Sequence, residues 1–210
     1  AASIGSGVAK YSAQIFAKKQ YSSLIKFKKT INRHIWIIAI ISFILITALS
    51  SIISTYLAIG NAGLVIYTAI ALVFAIIIPS QRGFLQGLGQ FKSYSMNSVI
   101  EAGSRIIFAI LFIMLGLRAG GVILAFGAAY FVSYIFINFS VSRFMNKGGG
   151  EKSVVDYKKF YGFVFIVFIT SLVIQLILNL PTIIVNGYYG AEFAGFWSAA
   201  LTLARFSLYI

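Results

Sequence analysis

The side chains best suited to chemistry in this chain lie inside apolar runs. Arg205 stands thirteen residues beyond Glu192 in the last run, which on a helix is about 20 Å along the axis. Gly195, Ser198, Thr202 and Arg205 recur at intervals of three, four and three, so they share one helical face. Ser171, Gln175, Asn179, Thr182 and Asn186 make a second such face in the preceding run. Ser3, Gly7, Lys10 and Gln14 make a third, and Tyr130, Tyr134 and Asn138 a fourth. A guanidinium or ammonium group beside amides and hydroxyls can line a hydrated cavity between helices. Two arrangements are open to Arg205. It snorkels to the headgroups, or it faces a water-filled cavity, and the hydroxyl stripe beside it favours the cavity. Serine and threonine stripes also hold helices together, so they are weak signals alone. Lys10 is nearer a membrane boundary, which strengthens the interfacial alternative for it.

The acidic residues are few: Glu101, Glu151, Asp156 and Glu192. None falls in the middle of an apolar run, so no carboxylate is placed as an intramembrane ion site. Glu101 and Arg105 are spaced as an i,i+4 ion pair at the start of a run, with a structural role expected. Catalysis finds no footing. There is no carboxylate pair on one face, no nucleophile–histidine–acid set and no metal-ligand cluster, and no enzyme activity or cofactor is expected. The stretch Gly83–Gly89 is rich in glycine but lacks the spacing and the lysine of a phosphate-binding loop. Cysteine is absent, and the one histidine, His34, reads as an interfacial residue at the start of a helix.

These side chains need helices that live in lipid. Hydrophobic residues make up 60% of the chain and charged residues 10%, with a mean hydropathy of +0.95, whereas soluble domains hold about 25% charged residues. Apolar runs at Ile35–Ala58, Leu64–Ile78, Val99–Leu117, Val122–Val141 and Gly162–Leu180 approach the ~20 residues of a bilayer crossing. Partial crossings are expected at Ala1–Ala17 and from Glu192 onward. The chain begins and ends inside apolar runs, which reads as a piece of a longer protein.

Of the seventeen basic residues, all but Arg118 and Arg205 cluster in alternate gaps. Those gaps are 18–34, with Lys10 just before it; 80–98, extending to Arg105; and 142–161. The intervening gaps near Gly60, Gly120 and Gly190 are nearly free of positive charge, the pattern that marks cytoplasmic loops. The net charge of +13 therefore points to anionic lipid headgroups rather than nucleic acid. Pro79 and Pro181 are expected to stop or kink their helices. Arg118, Gly120 and Gly121 read as a short outer turn. The run Gly148-Gly149-Gly150 is a candidate boundary between two bundles, or an ordinary interhelical loop.

Arg82-Gly83-Phe84-Leu85-Gln86-Gly87-Leu88-Gly89-Gln90-Phe91, then Glu101 and Arg105, then Gly116 and Gly120-Gly121, resembles the polysaccharide flippases of the multidrug/oligosaccharidyl-lipid/polysaccharide exporter superfamily. Asn179-Leu180-Pro181-Thr182, Gly190, Ala194-Gly195-Phe196-Trp197-Ser198 and Arg205 are similar to the start of that family's second lobe. The resemblance implies an all-α integral membrane protein, part of a MATE-like two-lobe helical bundle. Residues 1–145 would belong to the N-terminal lobe, 146–161 to a cytoplasmic linker and 162–210 to the second lobe. It implies a plasma-membrane transporter that flips oligosaccharides linked to a polyprenyl phosphate or pyrophosphate, by alternating access. The substrate cavity would draw on Arg205, Lys10, Gln175, Asn179, Thr202, Ser198, Tyr134 and Asn138. Glycan-assembly proteins are the expected partners beside the lipids. Many relatives carry an aspartate where Pro181 stands here, so the resemblance carries no coupling role for that acid onto this chain. The alternatives are a small-molecule exporter of the same superfamily, a membrane-embedded glycosyltransferase or polymerase, and a non-transporting scaffold.

Overall fold

Leu24, Phe27, Ile31, Ile35 and Ala39 recur every three or four residues and are all buried. They explain why the basic segment expected as a loop is mostly helix. Lysine and arginine are good helix formers, and the buried stripe runs unbroken through them. In a computed structural model, which describes residues 2–56, 61–145 and 156–206, that segment is the first half of one long helix. The order is α1 (Ala2–Ala17), α2 (Tyr21–Ala48), α3 (Ser50–Tyr56), α4 (Ala62–Gly87), α5 (Phe91–Met114), α6 (Arg118–Met145) and α7 (Tyr157–Phe206). Among the described residues there is no strand. Five of the helices, α2, α4, α5, α6 and the first half of α7, are long and apolar enough to cross a membrane. This is the makeup of a multi-pass membrane protein.

The chain divides into two units, Ala1–Val164 and Phe165–Ile210. In the first, α4 is central and packs against α1, α2 and α6, while α5 packs chiefly on α6. Phe27, Phe84 and Phe160 meet edge to face at the heart of its core. The outward side of α5 carries exposed Ile106, Ile107, Ile110 and Ile113, and that of α2 carries exposed Ile37, Ile41, Ile44 and Leu45. Contiguous apolar surface of this kind belongs against lipid. In the second unit, helix continues through Pro181, so the chain does not stop there, and the backbone leaves helical values at Gly190, with φ of 83° and ψ of 175°.

Pro79 likewise does not stop α4. The hydroxyl of Ser80 donates to the Ile77 carbonyl at 2.7 Å, and α1 lies against the helix at this point. A Cβ on Gly5 would come within 2.7 Å of the Pro79 oxygen. Close packing of a neighbouring helix is one of the conditions under which proline is tolerated inside a membrane helix. One turn on, Gly83 and Gly87 continue the contact. A Cβ on Gly83 would stand 3.2 Å from the Ala9 nitrogen, and one on Gly87 2.7 Å from the Ala9 oxygen. The glycine-rich stretch is thus a small-xxx-small packing face.

Three helix ends share one cap. At α1 the Lys19 and Gln20 amides bond back to the Phe16 and Ile15 carbonyls. At α4 Gly89 and Gln90 do so to Gln86 and Leu85, and at α5 Gly116 and Leu117 do so to Ile113 and Phe112. The first residue of each pair is left-handed, with φ of 55°, 68° and 82°. This is the Schellman arrangement, in which glycine is favoured because it lacks a Cβ. The turn expected at Arg118–Gly121 therefore centres on Gly116. Gly120 and Gly121 lie inside α6, with Gly120 against the Tyr67 ring. The loop centre Gly148–Gly150 lies outside the described residues.

A candidate membrane-embedded charge network

The continuation of α4 past Pro79 carries Gln81 and Arg82 to the C-terminal end of the helix. Arg82 lies twenty residues from Ala62, about 30 Å along the helix, which is one hydrocarbon thickness. There it meets Glu101 of α5. Arg82 Nη2 stands 2.6 Å from Glu101 Oε2, and Arg105 Nη2 stands 2.6 Å from Glu101 Oε1. One carboxylate therefore bridges two guanidinium groups. Arg82 Nε donates to Asn97 Oδ1 at 2.8 Å. The Asn97 amide donates to the Ser133 carbonyl of α6 at 3.0 Å, and the Ser133 hydroxyl returns a bond to Asn97 Oδ1 at 3.0 Å. Asn97 and Ser133 are fully buried.

The i,i+4 spacing of Glu101 and Arg105 is realised as an ion pair. The third member, Arg82, could not be read from spacing, because it comes from another helix. Its signal in the sequence was the arginine just past Pro79. The assembly ties α4, α5 and α6 together by short charge-assisted bonds. It carries one more positive than negative charge. The Arg105 guanidinium also lies 4.4 Å from the Phe126 ring centre and 5.7 Å from that of Tyr130, within cation–π range. A neutral pair extends the polar layer: Gln81 Nε2 donates to Asn32 Oδ1 of α2 at 2.6 Å. His34, expected at a helix start, lies inside α2 and is hydrogen-bonded through Nδ1 to the Tyr161 hydroxyl.

The cavity candidates occupy several places. Lys10 is exposed on α1, with its ammonium 3.9 Å over the Phe163 ring. Tyr134 is half-buried among Trp36 and Phe74. The Asn138 amide donates to the Tyr134 carbonyl one turn back at 3.0 Å. On α7, the Asn179 amide donates to the Gln175 carbonyl at 2.8 Å and stands 3.2 Å from Gln175 Oε1. Thr202 donates to the Ser198 carbonyl at 2.8 Å. Gln175, Asn179, Ser198 and Thr202 are all exposed. The Arg205 side chain lies outside the described residues. The structure thus brings Gln175 to Asn179, Ser198 to Thr202 and Glu101 to Arg105. Among the described residues no cluster of three potential metal ligands occurs.

No protein-family model, curated protein or solved structure matches this chain.

Proposed function

We propose that this chain is part of a plasma-membrane flippase for oligosaccharides linked to a polyprenyl phosphate or pyrophosphate, with its basic loops cytoplasmic and two helical lobes that alternate access. The observation that carries this reading is the contrast between two outward faces. Over Ile37–Leu45 of α2 and Val99–Met114 of α5 every exposed position is apolar, mostly isoleucine, whereas the exposed positions of α1 are Ser6, Lys10, Ala13, Gln14 and Ala17. Burying an ammonium group in hydrocarbon costs about 2.5–3.5 kcal/mol. A face of this composition is suited to water and to an anionic, hydroxylated ligand. The exposed amides and hydroxyls of Gln175, Asn179, Ser198 and Thr202 are the same kind of group on α7.

The test is flipping of a fluorescent polyprenyl-pyrophosphate oligosaccharide in proteoliposomes. Lys10→Ala is expected to weaken apparent affinity about tenfold, the worth of one charge-assisted contact. Transport by that variant at the wild-type rate and affinity would remove α1 from the substrate path.

A further inference from the structure

We infer that the first unit holds one anionic phospholipid on its membrane-facing side, its phosphate on Arg105 and one acyl chain in the groove between α4 and α6. The groove has a volume of about 310 Å³ and is lined by Thr68, Ala71, Leu72, Ala75, Ile123, Phe126 and Tyr130. Both helices are long and apolar enough to span a membrane, so the groove opens along surface that faces hydrocarbon. From Thr68 to Ala75 it follows about 10 Å of helix, which leaves room for a single chain. Its lining is apolar save for one threonine and one tyrosine, as a hydrocarbon chain requires.

What identifies the headgroup is the cation sharing its wall. Phe126 and Tyr130 line the groove and also face the Arg105 guanidinium. The Arg82–Glu101–Arg105 assembly has a surplus positive charge. Arg105 has five N–H donors. One of them is held by Glu101, and Nε is buried with no hydrogen-bond partner. The side chain is 34% exposed, so an anion can reach it. Arg82 lies about 30 Å along α4 from Ala62, one hydrocarbon thickness, and Arg105 is joined to it through Glu101. A phosphate at Arg105 therefore sits near headgroup depth while its chain descends along α4 and α6. Burying that chain removes apolar area from contact with irregular lipid, but the specificity comes from the charge. This site is on a different helix pair from the α1 face and does not depend on the transport reading.

The experiment uses the full chain in detergent, titrated with mixed micelles of phosphatidylglycerol or phosphatidylcholine at matched concentration. Thermal melting and lipid-retention mass spectrometry are the readouts. Phosphatidylglycerol is expected to raise Tm where phosphatidylcholine does not, with one lipid retained. The effect should persist in 1 M salt, where screening to about 3 Å removes diffuse attraction to the basic loops. Arg105→Gln should weaken retention about tenfold, and Arg105→Lys should restore part of it. Should Arg105→Gln fail to fold, Ala75→Phe decides, since it fills the groove and leaves the charges in place. It should abolish the preference without lowering the lipid-free Tm. Equal shifts with both lipids, or a phosphatidylglycerol preference that survives Ala75→Phe, would overturn the site. So would displacement of the retained lipid by polyprenyl phosphate at lower concentration than by phosphatidylglycerol.

Discussion

Glu101 is the residue on which the first unit's polar chemistry turns. Its carboxylate is 10% exposed and holds two guanidinium groups. Removing its charge leaves Arg82 and Arg105 facing each other in a weakly polar surrounding. Breaking one member of this part-buried ion network costs about 2–3 kcal/mol, below the full penalty of a dry ion pair. Glu101→Gln is expected to lower stability by about that amount, with a clear drop in melting temperature in detergent. Replacing Arg82, Glu101 and Arg105 together by leucine or methionine should cost much less, because no charge is then left unpaired. If the single and triple variants melt alike, the network is not a stability element. At the start of α7, Asp156 precedes the helix and accepts the Lys159 backbone amide at 3.1 Å. That bond, aided by the Lys159 ammonium, holds the Asp156 carboxyl below the usual carboxylate range. A lowered folded-state value means the cap is fully formed above the ordinary aspartate pKa and is lost as pH falls through the lowered one. The protection of the Lys159 amide, taken relative to its intrinsic exchange rate at each pH, should therefore fall on acidification in the wild type. In Asp156→Ala that protection should be low at every pH.

The elements are shaped by two rules that pull on glycine differently. In the Schellman turns a left-handed residue is required. Gly89 fits at no cost, while Lys19 adopts φ of 55° in the same role. An L-residue there costs roughly 1–2 kcal/mol. Lys19→Gly is expected to stabilise the α1–α2 hairpin by about 1 kcal/mol, and Gly89→Ala to destabilise the α4–α5 hairpin by a similar amount. Reversal of either sign in thermal melts would show that side-chain contacts, not backbone strain, set those turns. In the α1–α4 interface, small size matters instead. Gly83 and Gly87 are the places where α1 touches the α4 backbone, so Gly83→Val should separate the helices. The melting temperature in detergent should fall clearly in Gly83→Val and much less in Gly103→Val, where a Cβ would meet nothing within 4 Å.

At the scale of the molecule, the expected topology and the proposed transport can be checked separately. The chain has no cysteine, so single-cysteine labelling is clean. Cysteines at Asn61 and Gly149 are expected on opposite sides of the membrane, with Gly149 cytoplasmic. Labelling of both from one side would refute the orientation. Arg205→Ala should impair flipping of the lipid-linked oligosaccharide while leaving membrane insertion intact, and unchanged glycan export would take Arg205 out of the mechanism.

The helical class and the apolar crossings were legible in the sequence, because hydropathy and period are local properties of the chain. Runs of about twenty apolar residues leave a membrane helix little alternative. The Glu101–Arg105 pair was legible for the same reason, since helical spacing alone brings residues four apart together. Helix ends were less so. Pro79 and Pro181 looked like stops, yet helix continues through both. The cost of proline depends on its surroundings, and at Pro79 helix α1 packs close through Gly5. Only the tertiary structure could add Arg82 to Glu101, or place Asn97 against Ser133. It alone turned Gly83 and Gly87 from a suspected loop into the seat of α1. Those partners come from different helices, and no periodicity along one helix records which neighbour it will meet.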